Sequence, residues 1–366
     1  MIEVLVSMGV VGVIGAVLAV ALELADRYIA NYGEATIDIN DGAKELTVEG
    51  GGNLLGALVA EGIFVPSACG GRGSCGYCKC RITEGGGPFL PTEQSWITTE
   101  EKSNDMRLSC QVKIREDMKI YIPEELFLIK EYQGMVSSIR DLTGDIKEVR
   151  IKLVEPAEIE FQTGQYMQLT VPEYGDVDES VYRAYSLSSP EYERNEVEFI
   201  IRYVPEGICT TWVHQYLKVG DEVTINGPHG DFYLRDTDAK IIMIAGGSGL
   251  APFKGMLLNM AKQGITRPTN FFFGAVNQDN LYYRDLMAEL EEKMPNFKFI
   301  PALSGEDNPG WDGETGLITD VVDRLTPDVD NTEAYLCGSP GMIDACIKVL
   351  TKKGLTEDKI YYDKFS

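Results

Sequence analysis

Four cysteines crowded into twelve residues constrain the fold of this chain more than any other sequence feature. Residues 69 to 80 read CGGRGSCGYCKC, and another cysteine follows at position 110. The spacing from Cys69 through Cys75 and Cys78 to Cys110 is C-x5-C-x2-C-x31-C. Three ligands on one tight loop and a remote fourth are typical of a [2Fe-2S] cluster, although the plant-type loop is one residue shorter. The pattern therefore predicts a [2Fe-2S] cluster held by these four thiolates.

The glycines between the cysteines support that interpretation. A loop that wraps around a cluster needs backbone conformations with positive φ and must aim N–H groups at the sulfurs, and glycine allows both. The alternative is a zinc site, but such sites usually pair one C-x2-C with another, whereas Cys110 stands alone. Cys80 is a fifth thiol, which we expect to be packed in the interior because four ligands already satisfy the cluster.

The N-terminus contains an uncharged apolar segment. Residues 4 to 22 read VLVSMGVVGVIGAVLAVAL, and a helix of about 20 apolar residues spans the hydrocarbon core of a bilayer. The competing interpretations are a cleaved signal peptide and a buried core helix. No basic segment precedes the run, which is also longer than the apolar part of most signal peptides, and no polar face interrupts it. We therefore expect a transmembrane anchor within residues 1 to 27.

Composition and charge exclude other classes of function. The chain has 57 acidic and 33 basic residues and a formal net charge of -24. The electrostatic field of this negative charge repels phosphate backbones, so nucleic acid is not an expected partner. The two histidines, His214 and His229, have no cysteine or carboxylate at ligand spacing, and we interpret both as structural. With only two histidines, no convincing Ser/His/Asp constellation can be assembled.

The remaining sequence predicts three further domains in a chain of 366 residues. A hairpin pattern around a DG turn, a short helix and the cysteine loop indicate a β-grasp [2Fe-2S] ferredoxin domain over residues 33–125. Strand-like runs over residues 131–234 indicate an antiparallel β-barrel. Over residues 238–366, short apolar runs alternate with helical ones, which is typical of a doubly wound α/β domain with a parallel sheet.

A short motif in the barrel region has the residues of a nucleotide site. The segment RAYSLSS begins at Arg183, whose guanidinium can pair with a pyrophosphate. Tyr185 can pack against a flat ring, and the hydroxyl of Ser186 can reach a ring nitrogen. An ordinary barrel-edge strand with an exposed arginine is the alternative interpretation.

The segment EGICTTWVHQYL strengthens the nucleotide interpretation. It places Gly207 before Thr210 and Thr211 at the expected start of a helix. Backbone N–H groups and hydroxyls at a helix start suit an anionic diphosphate.

Two glycine motifs in the α/β region indicate a second nucleotide site. In IIMIAGGSGLAPF, an apolar run leads into Gly246, Gly247 and Gly249. The spacing is not the G-x-G-x-x-G of a Rossmann fingerprint, but strand, glycine turn and helix start together still form a cradle for a pyrophosphate. In YLCGSPGMI, Cys337 and Gly338 end another strand, at the sheet edge where α/β proteins bind ligands.

In this order, the cysteine loop, RAYS, GGSGLAP and CGSPGM resemble the ferredoxin–NADP reductase superfamily with a fused ferredoxin domain. The succession of anchor, ferredoxin, flavin and nicotinamide domains is similar to the F subunits of the sodium-pumping NADH:quinone reductases. The C-x5-C-x2-C spacing, GPHGDF and the tail YYDKFS are similar to those subunits too. The resemblance covers essentially the whole chain and implies FAD and a [2Fe-2S] cluster as cofactors, with NADH as substrate.

The resemblance also implies roles for individual residues. Those expected to contact FAD or NADH are Arg183, Tyr185, Ser186, Ser188, Gly207, Thr210, Thr211, Gly246, Gly247, Gly249, Cys337, Gly338 and Phe365. Ser186, Cys337 and Phe365 are the predicted catalytic residues. Phe365 matches the aromatic residue that covers the flavin ring in the family. One departure is the segment after FFFGA: no basic residue occurs from Gly274 to Tyr283, where one is common. A 2′-phosphate needs a cation, so we predict NADH rather than NADPH, with Asp279 accepting from ribose hydroxyls.

The implied function is the passage of electrons from NADH to FAD, to the [2Fe-2S] cluster and to a partner redox carrier. The resemblance places the chain in the inner membrane of a prokaryote as a single-pass subunit, with its globular domains in the cytoplasm and other subunits of a membrane redox complex as partners. The alternative is a stand-alone NADH-dependent reductase that supplies an oxygenase or a metallo-cofactor enzyme. Such reductases usually lack an anchor, so residues 4 to 22 favour the first interpretation.

Overall fold

The computed structural model describes residues 32–365, together with four helical positions nearer the N-terminus, Gly12, Ile14, Gly15 and Val17. Apart from those four positions, the predicted anchor lies outside the described residues. Within the described part of the chain, no helix combines the length and the apolar character needed to cross a bilayer. The chain divides into two compact units. The first comprises the chain up to Ser67 and Gly71–Leu128, and the second comprises Ala68–Gly70 and the chain from Ile129 onward.

The first unit is a mixed five-stranded sheet with two short helices. Its elements are β1 (Glu34–Ile39), β2 (Lys44–Glu49), α1 (Leu54–Ala60), β3 (Lys79–Glu84), α2 (Thr99–Ser103), β4 (Met106–Leu108) and β5 (Met118–Tyr121). The strand order is β2-β1-β5-β3-β4, in which β1 and β5 are parallel and the other pairs antiparallel. The predicted hairpin is confirmed, and Asn40, Asp41 and Gly42 turn the chain with positive φ. Asn53 caps α1 by accepting from the Gly56 N–H at 2.8 Å.

The second unit begins with an antiparallel barrel. Its elements are β6 (Lys130–Asp141), β7 (Ile146–Glu155), β8 (Tyr166–Val171), β9 (Val181–Ser186), β10 (Glu196–Arg202), α3 (Ile208–Gln215) and β11 (Glu222–His229). The strand order is β10-β7-β6-β11-β8-β9. A bridge between Leu187 and Phe199 joins the two edge strands. Alternate residues of β7, namely Val149, Ile151 and Leu153, are buried in the core, which confirms the predicted barrel.

The second unit ends with a parallel six-stranded sheet covered by helices. Its elements are β12 (Lys240–Gly246), α4 (Ala251–Gln263), β13 (Thr269–Ala275), α5 (Arg284–Lys293), β14 (Phe297–Leu303), β15 (Glu314–Thr315), α6 (Ile318–Leu325), β16 (Thr332–Gly338), α7 (Pro340–Lys352) and β17 (Ile360–Lys364). The order is β15-β14-β13-β12-β16-β17. The sheet is doubly wound, as predicted.

The connectivity of this sheet places a crevice at β12. The chain runs from β12 outward through β13 and β14, and later returns to place β16 on the other side of β12. In open parallel sheets, ligands bind at the carboxyl ends of the strands where the winding direction changes. Helix α4 begins at Ala251 and includes Pro252 in its first turn, slightly earlier than the sequence suggested. Proline is tolerated there because the first N–H groups of a helix have no partner within the helix.

Candidate functional site

Cys75, Cys78 and Cys110 lie in the first unit, where the thiols of Cys78 and Cys110 are in contact. The Cys78 side chain is hydrogen-bonded to Cys110, and this bond, burial and the nearby Cys75 raise the pKa of the Cys78 thiol far above its ordinary value. The Ser109 N–H and hydroxyl both donate to the Cys78 carbonyl, at 2.8 and 3.0 Å. The Gln111 amide donates to Cys110 Sγ at 3.4 Å. The segment that carries Cys110 is therefore tied to the loop that carries Cys78.

Two glycines in this loop have backbone conformations that disfavour other residues. Gly73 and Gly76 both have a φ of +74°, which disfavours any residue with a Cβ. A Cβ on Gly73 would lie 2.7 Å from the Gln111 amide nitrogen, and one on Gly76 would lie 2.7 Å from the Trp96 ring. The backbone conformation therefore requires glycine at both positions, and at Gly76 the Trp96 side chain also leaves no space for a Cβ.

The donor set fits a [2Fe-2S] cluster by its chemistry. Cys69, Cys78 and Cys110 are buried and Cys75 is half-buried, and sulfur ligands from one loop and one distant segment suit an iron–sulfur centre. Within the described residues, no group of three or more His, Cys, Asp or Glu side chains is arranged to hold a single metal ion. Cys80 is buried as predicted, and burial raises the pKa of its thiol to about 12.

In the second unit, strand β9 presents the predicted flavin residues. Arg183 and Tyr185 alternate along it and are half-buried, whereas Ser186 is buried. The Arg183 guanidinium donates to the Tyr182 carbonyl at 2.7 Å. Tyr185 packs against the barrel core at 6.4 Å from the Phe199 ring centroid. These residues can present a cation and an aromatic face to a flavin.

The start of α3 has the character of a diphosphate site. Gly207 is its N-cap and provides no side-chain hydrogen bond to the first turn, so backbone N–H groups there can receive an anion. A Cβ on Gly207 would lie 2.6 Å from Thr210 Oγ1. The Thr210 hydroxyl donates to the Val204 carbonyl at 3.1 Å, and the Thr211 N–H donates to the Gly207 carbonyl at 2.8 Å. The Thr210 side chain therefore stabilises the turn that leads into α3, and the Thr211 N–H closes the first turn of that helix.

The glycine turn after β12 packs directly on the end of β16. A Cβ on Gly249 would lie 2.3 Å from the Cys337 carbonyl oxygen, so this approach excludes every other residue type. Gly246 ends β12, and Gly247 follows with a φ of +56°. The Tyr282 hydroxyl donates to the Gly247 carbonyl at 2.7 Å. The turn thus lies at the crevice that the sheet order creates.

Asp363, which the sequence did not single out, is a neighbour of two of the three predicted catalytic residues. Asp363 on β17 is the register partner of Cys337 on β16. The Ser186 hydroxyl donates to Asp363 Oδ2 at 3.2 Å. Two residues further on, the Phe365 N–H donates to the Gly338 carbonyl at 2.9 Å. The barrel strand with Ser186 and the sheet edge with Cys337 therefore meet at one carboxyl group.

Burial shifts the pKa values of Asp363 and Cys337. Burial raises the pKa of Asp363 to about 6, while the Ser186 hydrogen bond acts in the opposite direction. Burial, with the charge of Asp363, raises the pKa of the Cys337 thiol well above its ordinary value. Cys337 is therefore a thiol at neutral pH, and Asp363 can change protonation near neutrality.

A cavity of about 250 Å³ lies at the carboxyl ends of β13 and β14. It is lined by Gly247 of the glycine turn and by Asn280, whereas Asp279, predicted to accept from a ribose, is not part of its lining. Arg202 is the one cationic side chain among the described residues of this lining. Its Nε donates to Asp145 Oδ2 at 2.9 Å, and its Nη1 lies 3.8 Å from the Cβ position of Gly247. The cavity therefore has a cation beside the glycine turn.

Arg202 was missed because it comes from the barrel strand β10, far in sequence from the glycine turn. Asp363 was missed because only the β16–β17 register identifies its neighbours. Ser188 was predicted to contact the cofactor, and the structure gives its side chain a protein partner. Its buried hydroxyl donates to Glu198 Oε1 at 2.6 Å.

Neither histidine is near a metal-ligand set among the described residues. A ring nitrogen of His214 lies 3.1 Å from the Ile201 carbonyl. His229 is buried, stacks on Tyr166, and its Nε2 lies 2.8 Å from Asn226 Oδ1. Burial lowers the pKa of His229 to about 4.

Comparison with known proteins matches each of these regions to a family. The 2Fe-2S iron-sulfur cluster binding domain family matches residues 37–115. The oxidoreductase FAD-binding domain family matches residues 133–233, and the oxidoreductase NAD-binding domain family matches residues 243–348. The predicted cofactors FAD and [2Fe-2S] and the predicted substrate NADH are confirmed at the level of these domains.

Two solved structures are similar along most of the chain. The Amycolatopsis cytochrome P450 reductase GcoB matches with a TM-score of 0.73 and 28% identity, covering 90% of this chain and 98% of its own. The ferredoxin reductase in carbazole 1,9a-dioxygenase matches with a TM-score of 0.70 and 26% identity, covering 91% and 98%.

Three full-length relatives are F subunits of the Na(+)-translocating NADH-quinone reductase. The protein from Neisseria meningitidis serogroup C is 36% identical over 99% of both chains. That from Pseudomonas aeruginosa is 35% identical over 99% of this chain and 98% of its own, and that from a Marinomonas species is 36% identical over the whole of both. The chain belongs to the family of F subunits of the Na(+)-translocating NADH-quinone reductases.

Proposed function

We propose that this chain oxidises NADH and passes the electrons through FAD and a [2Fe-2S] cluster to a partner redox carrier in a sodium-pumping NADH:quinone reductase complex. The observation that carries the proposal is the hydrogen bond from Ser186 to Asp363. It joins the strand with the flavin motif to the sheet edge at the nicotinamide crevice. A bound FAD supplies the chemistry of taking two electrons as a hydride and releasing them singly to a one-electron centre.

The residues of the second unit have separate tasks in this reaction. Arg183 and the start of α3 bind the diphosphate of FAD. The turn from Gly246 to Gly249 and the Arg202 guanidinium bind the diphosphate of NADH. Both sites place positive partial or full charge against an anion.

Asp363 and its neighbours Ser186 and Cys337 hold or transfer protons rather than electrons. Its carboxyl group has a pKa of about 6, so Asp363 Oδ2 can hold or release a proton near neutral pH. The Ser186 hydroxyl can carry that proton toward the flavin. The Cys337 thiol remains protonated and supplies a neutral wall at the crevice, and the Phe365 ring would shield a bound flavin from water.

Rapid mixing of the anaerobic purified chain with NADH tests this assignment. We expect NADH to bleach the flavin absorbance, followed by reduction of the cluster. Ser186→Ala and Asp363→Asn should slow bleaching by about 10- to 100-fold, the range typical of a positioned proton-transfer group, without loss of FAD. Asp363→Asn should also remove the change in rate near pH 6. Colourless protein, or protein that carries zinc instead of iron, would contradict the proposal.

We further propose that residues 4 to 22 anchor the chain in the inner membrane as a single-pass segment, with the globular domains in the cytoplasm. The uncharged apolar run supports this, and the relatives match over essentially the full length of this chain. NADH is a cytoplasmic substrate, so the nicotinamide domain must face that compartment. Deleting residues 2–27 should move the protein from the membrane fraction to the soluble fraction while NADH still bleaches the flavin.

A stand-alone reductase is the second candidate. Two solved reductases whose names link them to other enzymes are similar to this chain along most of its length. Purification of the full-length chain from detergent-solubilised membranes discriminates between the candidates. Subunits of a quinone reductase should co-purify under the first proposal, whereas an oxygenase or a metallo-cofactor enzyme should co-purify under the second.

A further inference from the structure

Three charged side chains are buried together where the barrel meets the α/β domain of the second unit. Glu148 on β7, Glu198 on β10 and Lys254 on α4 are each at most 5% exposed. Lys254 Nζ forms an ion pair with Glu198 Oε1 and lies 3.8 Å from Glu148 Oε2. One ammonium group is therefore shared by carboxylates on two barrel strands.

Other polar groups surround the two carboxylates, although Glu198 Oε2 has an ion-pair contact and no hydrogen bond. Arg150 Nη2 lies 2.7 Å from Glu198 Oε2, and Arg140 Nη2 donates to Glu148 Oε2 at 2.8 Å. The Tyr283 hydroxyl also donates to Glu148, and the Ser188 hydroxyl donates to Glu198. We name these seven residues, of which Arg140 is exposed and Arg150 half-buried, the charge network: Arg140, Glu148, Arg150, Ser188, Glu198, Lys254 and Tyr283.

Stability alone is a poor explanation for such a network. Removing charges from water is costly, and apolar residues of similar volume often stabilise a core as well or better. A buried ion pair differs from an apolar contact because it is directional. It holds two elements in one arrangement, whereas apolar surfaces can slide with little loss of contact.

Several members of the network lie close in sequence to a residue of the proposed site. Lys254 is in the first turn of α4, directly after the glycine turn. Glu198 precedes Arg202 on β10, and Ser188 follows Ser186 after β9. Tyr283 follows the cavity residue Asn280. The network therefore connects the backbone segments that carry the flavin residues with those that carry the dinucleotide residues.

We propose that Lys254 is a positioning residue, whose ion pairs with Glu198 and Glu148 set the distance between the glycine turn and the flavin strand β9. The inference rests on the proposed function, because this distance decides how closely NADH approaches the flavin. Displacement of reacting groups by about 1 Å can slow a reaction by about 100-fold. Lys254 acts through these carboxylates rather than on the substrate or the cofactor.

The first test replaces the charge and keeps the length of the side chain. Lys254→Met should lower the rate constant of flavin reduction by NADH by about 10- to 100-fold, with FAD content unchanged. Lys254→Arg should restore much of this rate. Lys240→Met is the matched control, since Lys240 forms an exposed ion pair with Asp328 at 3.0 Å in the same domain, and its rate should equal that of the wild type.

Two further readouts separate positioning from general destabilisation. The long-wavelength absorbance band that forms when nicotinamide stacks on the flavin should weaken in Lys254→Met and persist in Lys240→Met. Hydrogen exchange in the full-length flavin-loaded chain should increase at the first turn of α4 and along β10, and remain unchanged at the far edge strand β15.

A double variant addresses the pairing itself. Glu198→Gln alone leaves the Lys254 charge less compensated, whereas Glu198→Gln combined with Lys254→Met removes both partners. The combined variant should therefore reduce flavin no more slowly than the slower single variant. Should Lys254→Met fail to fold, Tyr283→Phe removes one hydrogen bond to Glu148 and should slow reduction by about threefold.

The outcomes of these tests are distinct. Wild-type rates and an unchanged stacking band in Lys254→Met would overturn the inference while leaving the proposed function intact. The inference is equally overturned if Lys254→Met does not fold and Tyr283→Phe behaves like the wild type. A wild-type chain whose flavin NADH does not bleach would overturn the proposed function together with this inference.

Discussion

Gly71 of the cysteine loop and Gly249 of the dinucleotide crevice are both constrained to be glycine, but for different physical reasons. Gly71 in the loop has a φ of +85° and meets only ordinary contacts, the nearest atom lying 3.6 Å from its Cβ position. Gly249 in the crevice has no such φ, but its Cβ would lie 2.3 Å from the Cys337 carbonyl oxygen. Gly71 is needed for its backbone conformation. Gly249 is needed because the turn after β12 packs closely on the end of β16.

The largest expected effect tests whether the loop is a cluster site. Cys78→Ser should abolish the electron paramagnetic resonance signal of the reduced [2Fe-2S] centre, because oxygen replaces a thiolate ligand. Cys80→Ser is the matched control, since Cys80 lies two residues away and is equally buried. Its signal should persist. Loss of the signal in Cys80→Ser, or its survival in Cys78→Ser, would reverse the assignment of ligands.

The glycine comparison can be measured directly as a difference in stability. Gly249→Ala should lower the free energy of unfolding by about 3 kcal/mol, because the added methyl group overlaps backbone that cannot move aside. Gly71→Ala should lower it by about 1 kcal/mol through conformational strain alone. Urea denaturation of both variants checks the difference. Equal losses would show that space in the crevice is not the deciding factor.

Acid should weaken the barrel next to the crevice through His229. Its folded-state pKa of about 4 is below the ordinary value of about 6.5, so below pH 6.5 the unfolded state binds a proton that the folded state does not. The contribution of neutral His229 to the free energy of unfolding is therefore fully present above pH 6.5. It falls as the pH approaches 4, by about 2 kcal/mol between pH 7 and pH 5. Urea denaturation at the two pH values measures this loss, which His229→Gln should largely remove.

Asp363 contributes a pH dependence of stability that is opposite in sign to that of His229, and it therefore serves as an internal control. Its folded-state pKa is raised to about 6, so its contribution to stability is fully present below its ordinary pKa and is lost as the pH rises through 6. Asp363→Asn should therefore make the acid-induced loss of stability steeper. A shallower loss in that variant would contradict the assigned direction.

The smallest expected effect concerns the choice of dinucleotide. Among the described residues, no cationic side chain lines the β13 side of the cavity. Arg202 lies beside the glycine turn and is paired with Asp145. kcat/KM should therefore favour NADH over NADPH by about tenfold or more. Arg202→Gln should raise the KM for NADH and leave the order of preference unchanged. An equal or better kcat/KM with NADPH would refute the prediction.

The sequence predicted the two regions with unequal success. For the cysteine loop, ligand spacing and glycines already indicated the kind of site, because three of its four predicted ligands are close in sequence. For the crevice, the motifs around Ser186, Gly249 and Cys337 indicated nucleotide binding but not how their strands meet. Asp279 and Ser188 show the limit: they were assigned by motif position, yet Asn280 lines the cavity and the Ser188 hydroxyl bonds to Glu198.

The order of the motifs alone determined the family, the cofactors and the three globular domains, because local spacing and hydrophobic periodicity encode short-range geometry. Only the tertiary structure decided that Asp363 joins Ser186 to Cys337 and that Lys254 pairs with Glu198. The Lys254–Glu198 pair is separated by 56 positions in the chain and the Ser186–Asp363 pair by 177. Their contacts depend on strand order and register, which no local pattern specifies.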